Sequence, residues 1–375
     1  MVAPAWWPYR TPPRDVLKNC NHFGNMKRNS NEEKSPSSKS IRLNSPSEGQ
    51  QPCKIPMAEM ATTMAPESPM PAPDNQNEQS ASGYEVQAPA GSAMRAAFNR
   101  FKQRKSDLSD VLDLRVSEGS RTDESPIFEC RPLLGDFEGL PEVCHGLRPY
   151  NEWTITTFPS RPGLFVINDA FEPSSHLNWL RSAIGEYSQP PNPTNVNLTG
   201  EAGEKYALEA VRWATLGFDY NWTTKEYPDV PRAPLPVEFT DVANCVTNAV
   251  GLGEFHADTA IVNYYPLKAR LSPHVDRSER DHSQPLISLS FGQSAIYLTG
   301  GVSADDEVLP IMLHSGDILV MAGTQRLVFH AVPQVLKTRT FSPPVGLPSD
   351  ADFTSVVAYA NTHRINITLR RTLPS

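Results

Sequence analysis

Near the C-terminus, Arg364, Asn366, Thr368 and Arg370 stand at every second position, with Ile365, Ile367 and Leu369 between them. A β-strand sends successive side chains to opposite faces of its sheet, so this run puts two guanidiniums on one face and only aliphatic groups on the other. The segment therefore predicts one strand of a β-sandwich or barrel, with core behind it and a polar, ligand-facing interior in front. Two guanidiniums on that face could grip a dicarboxylate.

Upstream, His274-Val-Asp276 offers an imidazole and a carboxylate, and His330 in Leu-Val-Phe-His-Ala-Val offers a second imidazole. Together they fit the facial triad that holds iron(II) in non-haem oxygenases. The spacing alone is no signature, because His256-Ala-Asp258 repeats it. His274 and Asp276 are favoured because they follow a predicted strand, Ala260–Tyr265, after a proline-punctuated connection where loop-borne ligands can converge on a rigid scaffold. His256 and Asp258 fall in the approach to that strand. Taken alone, His330 in its apolar run reads first as a hydrogen-bonded core histidine, and only the joint pattern makes it a ligand.

Between these residues the chain reads as a helical prelude followed by many short strands. One helix is predicted from Phe171-Glu-Pro-Ser-Ser through Tyr187, capped by Ser174 or Ser175, and another over about Phe239–Val250. Strands are predicted at Ala260–Tyr265, Leu286–Phe291, Ala295–Leu298, Leu309–Leu313, Asp317–Met321, Leu327–Val332 and Arg364–Leu369. The glycines of Phe291-Gly-Gln-Ser294 and His314-Ser-Gly-Asp317 mark hairpin corners. This order suits a mainly β, α+β chain: a double-stranded β-helix, or jelly roll, braced by flanking helices.

Composition limits how much of the chain belongs to that fold. Of the 36 prolines, 13 fall in the first 90 residues, a stretch rich in Ser, Glu, Gln and Asn. Such a segment buries too little apolar surface to offset its ordering entropy, so residues 1–90 are expected to be disordered. The remainder is long enough for one catalytic unit with a sizeable core. Five cysteines without C-x-x-C spacing suggest neither a zinc ribbon nor a secreted disulfide scaffold, and a reducing intracellular compartment fits them. Nucleus, cytoplasm and mitochondrion stay open. Residues 1–31 carry five Lys or Arg against one acid, a weak likeness to a transit peptide that Trp6, Trp7 and the prolines spoil. No apolar run approaches the length of a membrane span, and no obligate protein partner is evident.

A net charge of −8 argues against a generally basic surface but leaves room for a local groove. Arg95, Arg100, Lys102, Arg104 and Lys105, with Phe98 and Phe101 among them, form a basic amphipathic helix. It contacts phosphates or a partner, or it is a solvated helix with two core-facing aromatics.

The joint pattern Asn263-Tyr-Tyr265, His274-Val-Asp276-Arg-Ser-Glu279, Ser290-Phe-Gly-Gln-Ser294, His314-Ser-Gly-Asp317, His330 and Arg364-x-Asn-x-Thr-x-Arg370 resembles the AlkB-type iron(II) and 2-oxoglutarate-dependent dioxygenases. Arg212-Trp-Ala-Thr-Leu-Gly-Phe-Asp-Tyr-Asn-Trp222 and Asp281-His-Ser-Gln-Pro-Leu-Ile-Ser-Leu-Ser-Phe-Gly-Gln-Ser294 are similar to the group typified by the first mammalian AlkB homologue. The likeness covers roughly residues 95–375. It implies a catalytic domain over 163–375, preceded by a helical or irregular extension over 91–162.

The resemblance implies that His274, Asp276 and His330 hold iron. Arg364, helped by Tyr265, would bind the remote carboxylate of 2-oxoglutarate, while Asn263 and Arg370 lie nearer its chelating end and Asn366 locks the neighbouring side chains. Dioxygen is the second cosubstrate. A methyl group on a nucleobase would be hydroxylated and lost as formaldehyde, alongside succinate and carbon dioxide. The nucleotide must be unpaired or flipped to reach the metal, with Trp213, Phe218 and Tyr220 as candidate base platforms, unless they are core.

Ser278 stands where several relatives of this family carry an acidic residue for base recognition, and Glu279 is adjacent. The segment Gln189–Ala207 is shorter than in the nearest group and lacks its basic run. Base preference therefore stays open among 1-methyladenine in tRNA, 6-methyladenine in DNA and methyl- or formylcytosine in tRNA. Two other classes use the same ligands: a protein-directed 2-oxoglutarate oxygenase, and a metal-binding or zinc hydrolase module.

Overall fold

The alternating C-terminal run forms the last of twelve strands in the computed structural model, which describes residues 88–115, 127–133, 137–202, 207–343 and 351–373. In chain order the strands are β1 (Glu129–Pro132), β2 (Thr154–Thr157), β3 (Leu164–Ile167), β4 (Trp213–Leu216), β5 (Thr259–Pro266), β6 (Leu271–His274), β7 (Leu286–Gly292), β8 (Ser294–Thr299), β9 (Leu309–Leu313), β10 (Ile318–Met321), β11 (His330–Leu336) and β12 (His363–Arg370). The α-helices are α1 (Ala93–Phe101), α2 (His176–Ser182), α3 (Val237–Ala249) and α4 (Ala351–Ala360).

Eight strands form one sheet in the order β1-β2-β3-β10-β7-β12-β5-β4, and four form a second in the order β6-β11-β8-β9. Within both sheets the named strand pairs run antiparallel. Strand β12 lies inside the larger sheet. Asn366 sits opposite Asn263 of β5 and Ser290 of β7, and Arg364 opposite Tyr265 and Gly292. Its period-two pattern is resolved as the alternation requires. Ile365, Ile367 and Leu369 are fully buried among side chains of α2 and α3, including Trp179 and Phe239. Each such side chain contributes roughly 1.5–3 kcal/mol of burial. Arg364, Asn366, Thr368 and Arg370 face the cavity between the sheets.

Three apolar layers hold this arrangement. The first lies between the larger sheet and α2, α3 and α4. The second joins the sheets themselves, through Leu164, Val166, Leu286, Tyr297, Ile311, Leu319 and Val335. The third covers the outer face of the smaller sheet, where Met94, Phe98 and Phe101 of α1 pack on Ile296, Leu298, Met312 and Ala331. The basic helix is thus amphipathic because its aromatic face belongs to the core.

Several expectations need correction. The glycine corners do not close hairpins within one sheet: Gly292 turns the chain from β7 in the larger sheet to β8 in the smaller, and Gly316 carries it back from β9 to β10. At Gly292, with φ +82°, a Cβ would collide with the His363 carbonyl oxygen, so the crossing requires glycine. The strand expected from Leu327 begins only at His330, because the preceding residues follow a 3₁₀ turn at Gly323–Gln325 that ends on the buried Arg326. Ser175 occupies the N-cap position of α2 but does not cap it; its hydroxyl donates to the Glu172 and Gly146 carbonyls. A single π-helical turn, Ala183–Tyr187, completes that helix. The expected disordered region ends at residue 90, so all but its last three residues lie outside the described residues. No helix among the described residues is long and apolar enough to cross a membrane.

Candidate active site

His274 ends β6 and His330 begins β11, and the two face each other in the strand register. Their rings are 4.3 Å apart. Each Nδ1 lies against a backbone carbonyl two residues earlier, Ser272 at 2.9 Å and Val328 at 3.1 Å. With Nδ1–H donating there, both Nε2 atoms present lone pairs toward Asp276. Asp276 Oδ1 is 3.6 Å from His274 Nε2, and Oδ2 is 3.8 Å from His330 Nε2. Burial, reinforced by His274, lowers the His330 pKa to about 4, so the ring is neutral near pH 7. Two imidazoles and a carboxylate whose ligating atoms lie within 4.8 Å of one another form a donor set suited to a divalent cation.

The carboxylate is kept ionised by a buried relay of charges. Burial would raise the Asp276 pKa, but the Arg370 guanidinium, with Arg326 behind it, overrides it and holds the carboxyl well below its ordinary range. Arg370 donates to Asp276 Oδ2 at 2.9 Å and to Glu279 Oε1 at 2.6 Å. Glu279 accepts from Arg326 at 2.8 Å and from the Tyr227 hydroxyl at 3.3 Å. Arg326 also donates to the Asp276 carbonyl at 2.6 Å. Two guanidiniums alternate with two carboxylates, so the relay is neutral while fixing the loop that carries Asp276.

Arg364 is different. Its guanidinium is 2 % exposed and donates to Ser290 Oγ at 2.8 Å, while its Nε has no hydrogen-bond partner. None of the ion pairs among the described residues includes it. Burial lowers its pKa to about 10, which still leaves a cation at neutral pH. A buried cation without a counter-ion is costly, so the site is built for an anion that arrives from outside. The two sheets enclose a cavity of about 400 Å³ onto which Arg364, Tyr265, Asn263, Asn366 and Arg370 all open, together with the three metal-type ligands. Asn366 donates to Ser288 Oγ at 2.5 Å and accepts from Thr368 Oγ1 at 3.1 Å, which fixes its amide within the wall.

Toward the substrate side, Tyr220, Trp222, Lys225 and Ser278 line the same cavity. The Tyr220 and Ser278 hydroxyls are 3.1 Å apart, and Trp222 packs on Tyr220 with ring centroids separated by 4.9 Å. Three expected substrate contacts lie elsewhere. Phe218 is 2 % exposed and off the cavity wall, sharing the parity of the core residues Ala214 and Leu216 of β4. Trp213 stacks on Trp222 at 4.8 Å, behind the wall. Glu279 is 3 % exposed and spent on Arg326 and Arg370. The competing pair is also dispersed: exposed His256 pairs with Glu254 at 3.0 Å, and Asp258 accepts from the Thr372 and Leu373 amides.

Sequence reasoning passed over Arg326, Tyr227, Tyr297 and Trp222 as contributors to this site. Arg326 lies four residues before His330, but nothing in its neighbours signals a partner 47 positions away. Trp222 ends the run that begins at Arg212, and its indole Nε1 is buried without a hydrogen-bond partner beside the cavity.

Residues 163–370 match the family model described as the 2OG-Fe(II) oxygenase superfamily. The chain is similar to nucleic acid dioxygenase ALKBH1 of Homo sapiens, 31% identical over 330 residues that span 76% of this chain and 85% of the relative. It is 32% identical to tRNA demethylase abh1 of Schizosaccharomyces pombe over 277 residues, 65% of this chain and 87% of that one. It is also 29% identical to DNA N(6)-methyladenine demethylase ALKBH1A of Arabidopsis thaliana over 343 residues, 77% of this chain and 99% of the relative.

Proposed function

Because the chain belongs to the 2OG-Fe(II) oxygenase superfamily, and within it resembles proteins named for work on nucleic acid, we propose that it oxidatively demethylates methylated bases in tRNA or DNA. The observation that carries this reading is the shared cavity: a two-imidazole and carboxylate ligand set opens onto the same space as a buried guanidinium with no counter-ion. His274, Asp276 and His330 would hold iron(II), and Arg364 with Tyr265 would receive the remote carboxylate of 2-oxoglutarate. Iron(II) with 2-oxoglutarate and dioxygen supplies the oxidation of an unreactive C–H bond, releasing succinate and carbon dioxide.

The chain's own residues position and exclude. Arg370, itself anchored by Glu279, holds Asp276 ionised and turned toward the two imidazoles. Asn263 and Asn366, facing each other on β5 and β12, frame the floor on which the cosubstrate lies. Tyr220 and Trp222 offer aromatic faces at the wall, worth roughly 1–3 kcal/mol for each stacked base. The unpartnered Trp222 N–H offers a donor to a base or phosphate acceptor. A cavity of about 400 Å³ between two sheets favours an unpaired or flipped base over a paired stack as the substrate of this reading. 1-Methyladenine in tRNA and 6-methyladenine in DNA are the leading substrates, and methyl- or formylcytosine in tRNA extends the same chemistry.

The test is nucleoside mass spectrometry after incubating the purified chain with iron(II), 2-oxoglutarate, ascorbate and a panel of methylated RNA and DNA. Loss of one methylated nucleoside, absent in His330→Ala, supports the reading. Turnover of a methylated peptide in place of every nucleic acid would overturn it.

A further inference from the structure

A second set of metal-type donors lies among the helices behind the larger sheet, on the opposite side from the cavity. Cys144 and His145 are consecutive in the segment that precedes β2, and His145 adopts a left-handed backbone with φ +54°. The turn closes through Leu147 N donating to Cys144 O at 3.0 Å, and Trp179 Nε1 pins the His145 carbonyl at 3.0 Å. Both side chains meet α3. Asp241 Oδ2 is 2.9 Å from His145 Nε2, and ligating atoms of Cys144, His145 and Asp241 all lie within 4.8 Å of one another. One helical turn beyond Asp241, on the same face of α3, stands Cys245. Its thiol is buried, hydrogen-bonds with Cys144 and donates to the Glu142 carbonyl at 3.3 Å.

We propose that Cys144, His145, Asp241 and Cys245 form a zinc site that staples the segment preceding β2 to α3. Thiolate, imidazole and carboxylate are the ligand types of tetrahedral zinc, whose bonds of about 2.0–2.3 Å need donors a little closer together than these are now. Hard cations are disfavoured by the two sulfurs. Binding replaces each thiol S–H by S–Zn and releases the two protons to solvent, with no change of oxidation state. Cys144, His145 and Asp241 already converge from two short segments held by their own hydrogen bonds, whereas Cys245 lies outside that set and must rotate its side chain to join it. The site is independent of the iron ligands and would exist whether or not the chain demethylates nucleic acid.

The experiment uses the full chain carrying His274→Ala and Asp276→Ala, so that the cavity site cannot compete, purified under a phosphine reductant. After treatment with zinc and gel filtration, elemental analysis should find one zinc per chain. Cobalt(II) in its place should give a thiolate charge-transfer band and the visible bands of tetrahedral coordination. Cys144→Ser should abolish the charge-transfer band or cut it to the contribution of one sulfur, and weaken zinc at least tenfold. Asp241→Asn changes a half-exposed carboxylate and leaves the helix intact, so it serves if the cysteine variant does not fold; it too should weaken zinc at least tenfold. Absence of bound zinc, a cobalt spectrum without a sulfur band, affinity unchanged in Asp241→Asn, or a Cys144–Cys245 disulfide forming in preference to metal uptake would each overturn the proposal.

Discussion

Replacing Arg364 with Met should make the empty protein more stable and the working protein worse. Arg364 is 2 % exposed, and burial lowers its pKa from 12.5 to about 10. At about 1.4 kcal/mol for each pKa unit, holding that charge in the empty cavity costs about 3 kcal/mol. Met fills a similar volume without charge, so most of that cost is recovered. Losing the bond to Ser290 Oγ returns about 1 kcal/mol of it. The expected net gain for the metal-free, cosubstrate-free chain is therefore about 1–2 kcal/mol, read from urea unfolding. The same change deprives 2-oxoglutarate of charge-assisted hydrogen bonds worth roughly 1.5–3 kcal/mol each, a tenfold to hundredfold loss of affinity or more. Calorimetric titration of 2-oxoglutarate into the manganese(II)-loaded protein measures it. Iron(II) affinity should not change, because Arg364 touches none of the metal ligands. An unaltered 2-oxoglutarate affinity would refute the role given to Arg364, and a large fall in the stability of the empty chain would refute the reasoning about its unpaired charge.

The two arginines should respond oppositely: Arg370→Met leaves Asp276 and Glu279 buried without their shared cation, and should destabilise the fold by roughly 3–5 kcal/mol in the same urea assay. Ala at His274, Asp276 or His330 should abolish stoichiometric iron(II) uptake, whereas His256→Ala should bind iron normally, its imidazole being exposed beside Glu254; iron titration distinguishes them, and the reverse pattern would sink the ligand assignment. Tyr220→Ala should slow demethylation by tenfold or more while sparing substrate-independent succinate formation, since its ring belongs to the cavity wall and not to the metal centre.

What the residues revealed in advance depended on how local the governing interaction is. The two faces of β12 were readable because strand parity is a property of seven consecutive side chains. The candidate metal ligands were readable because the chemistry restricts residue type so severely, even though His274 and His330 meet only through strand pairing. Parity failed beyond the end of β4. Phe218 and Tyr220 share it, yet one is core and the other cavity wall, because the regular strand ends at Leu216, before both. The partners of Glu279 were likewise hidden: an acid beside a candidate base-recognition residue looks like substrate chemistry until Arg326, from the turn before β11, and Arg370, at the end of β12, neutralise it. Four-residue strands such as β2 and β3 carry too few alternations to register as a pattern.

The central claim is that the metal site and the nucleotide-facing wall act on one substrate in one cavity. Its most direct measurement is the coupled yield of succinate and formaldehyde on a methyladenine-containing oligonucleotide, compared with the same oligonucleotide annealed into a stable duplex. The two products should form one for one on the unpaired strand and far more slowly on the duplex, with neither product from His330→Ala. Succinate without formaldehyde on every methylated nucleic acid, or equal rates on strand and duplex, would contradict it.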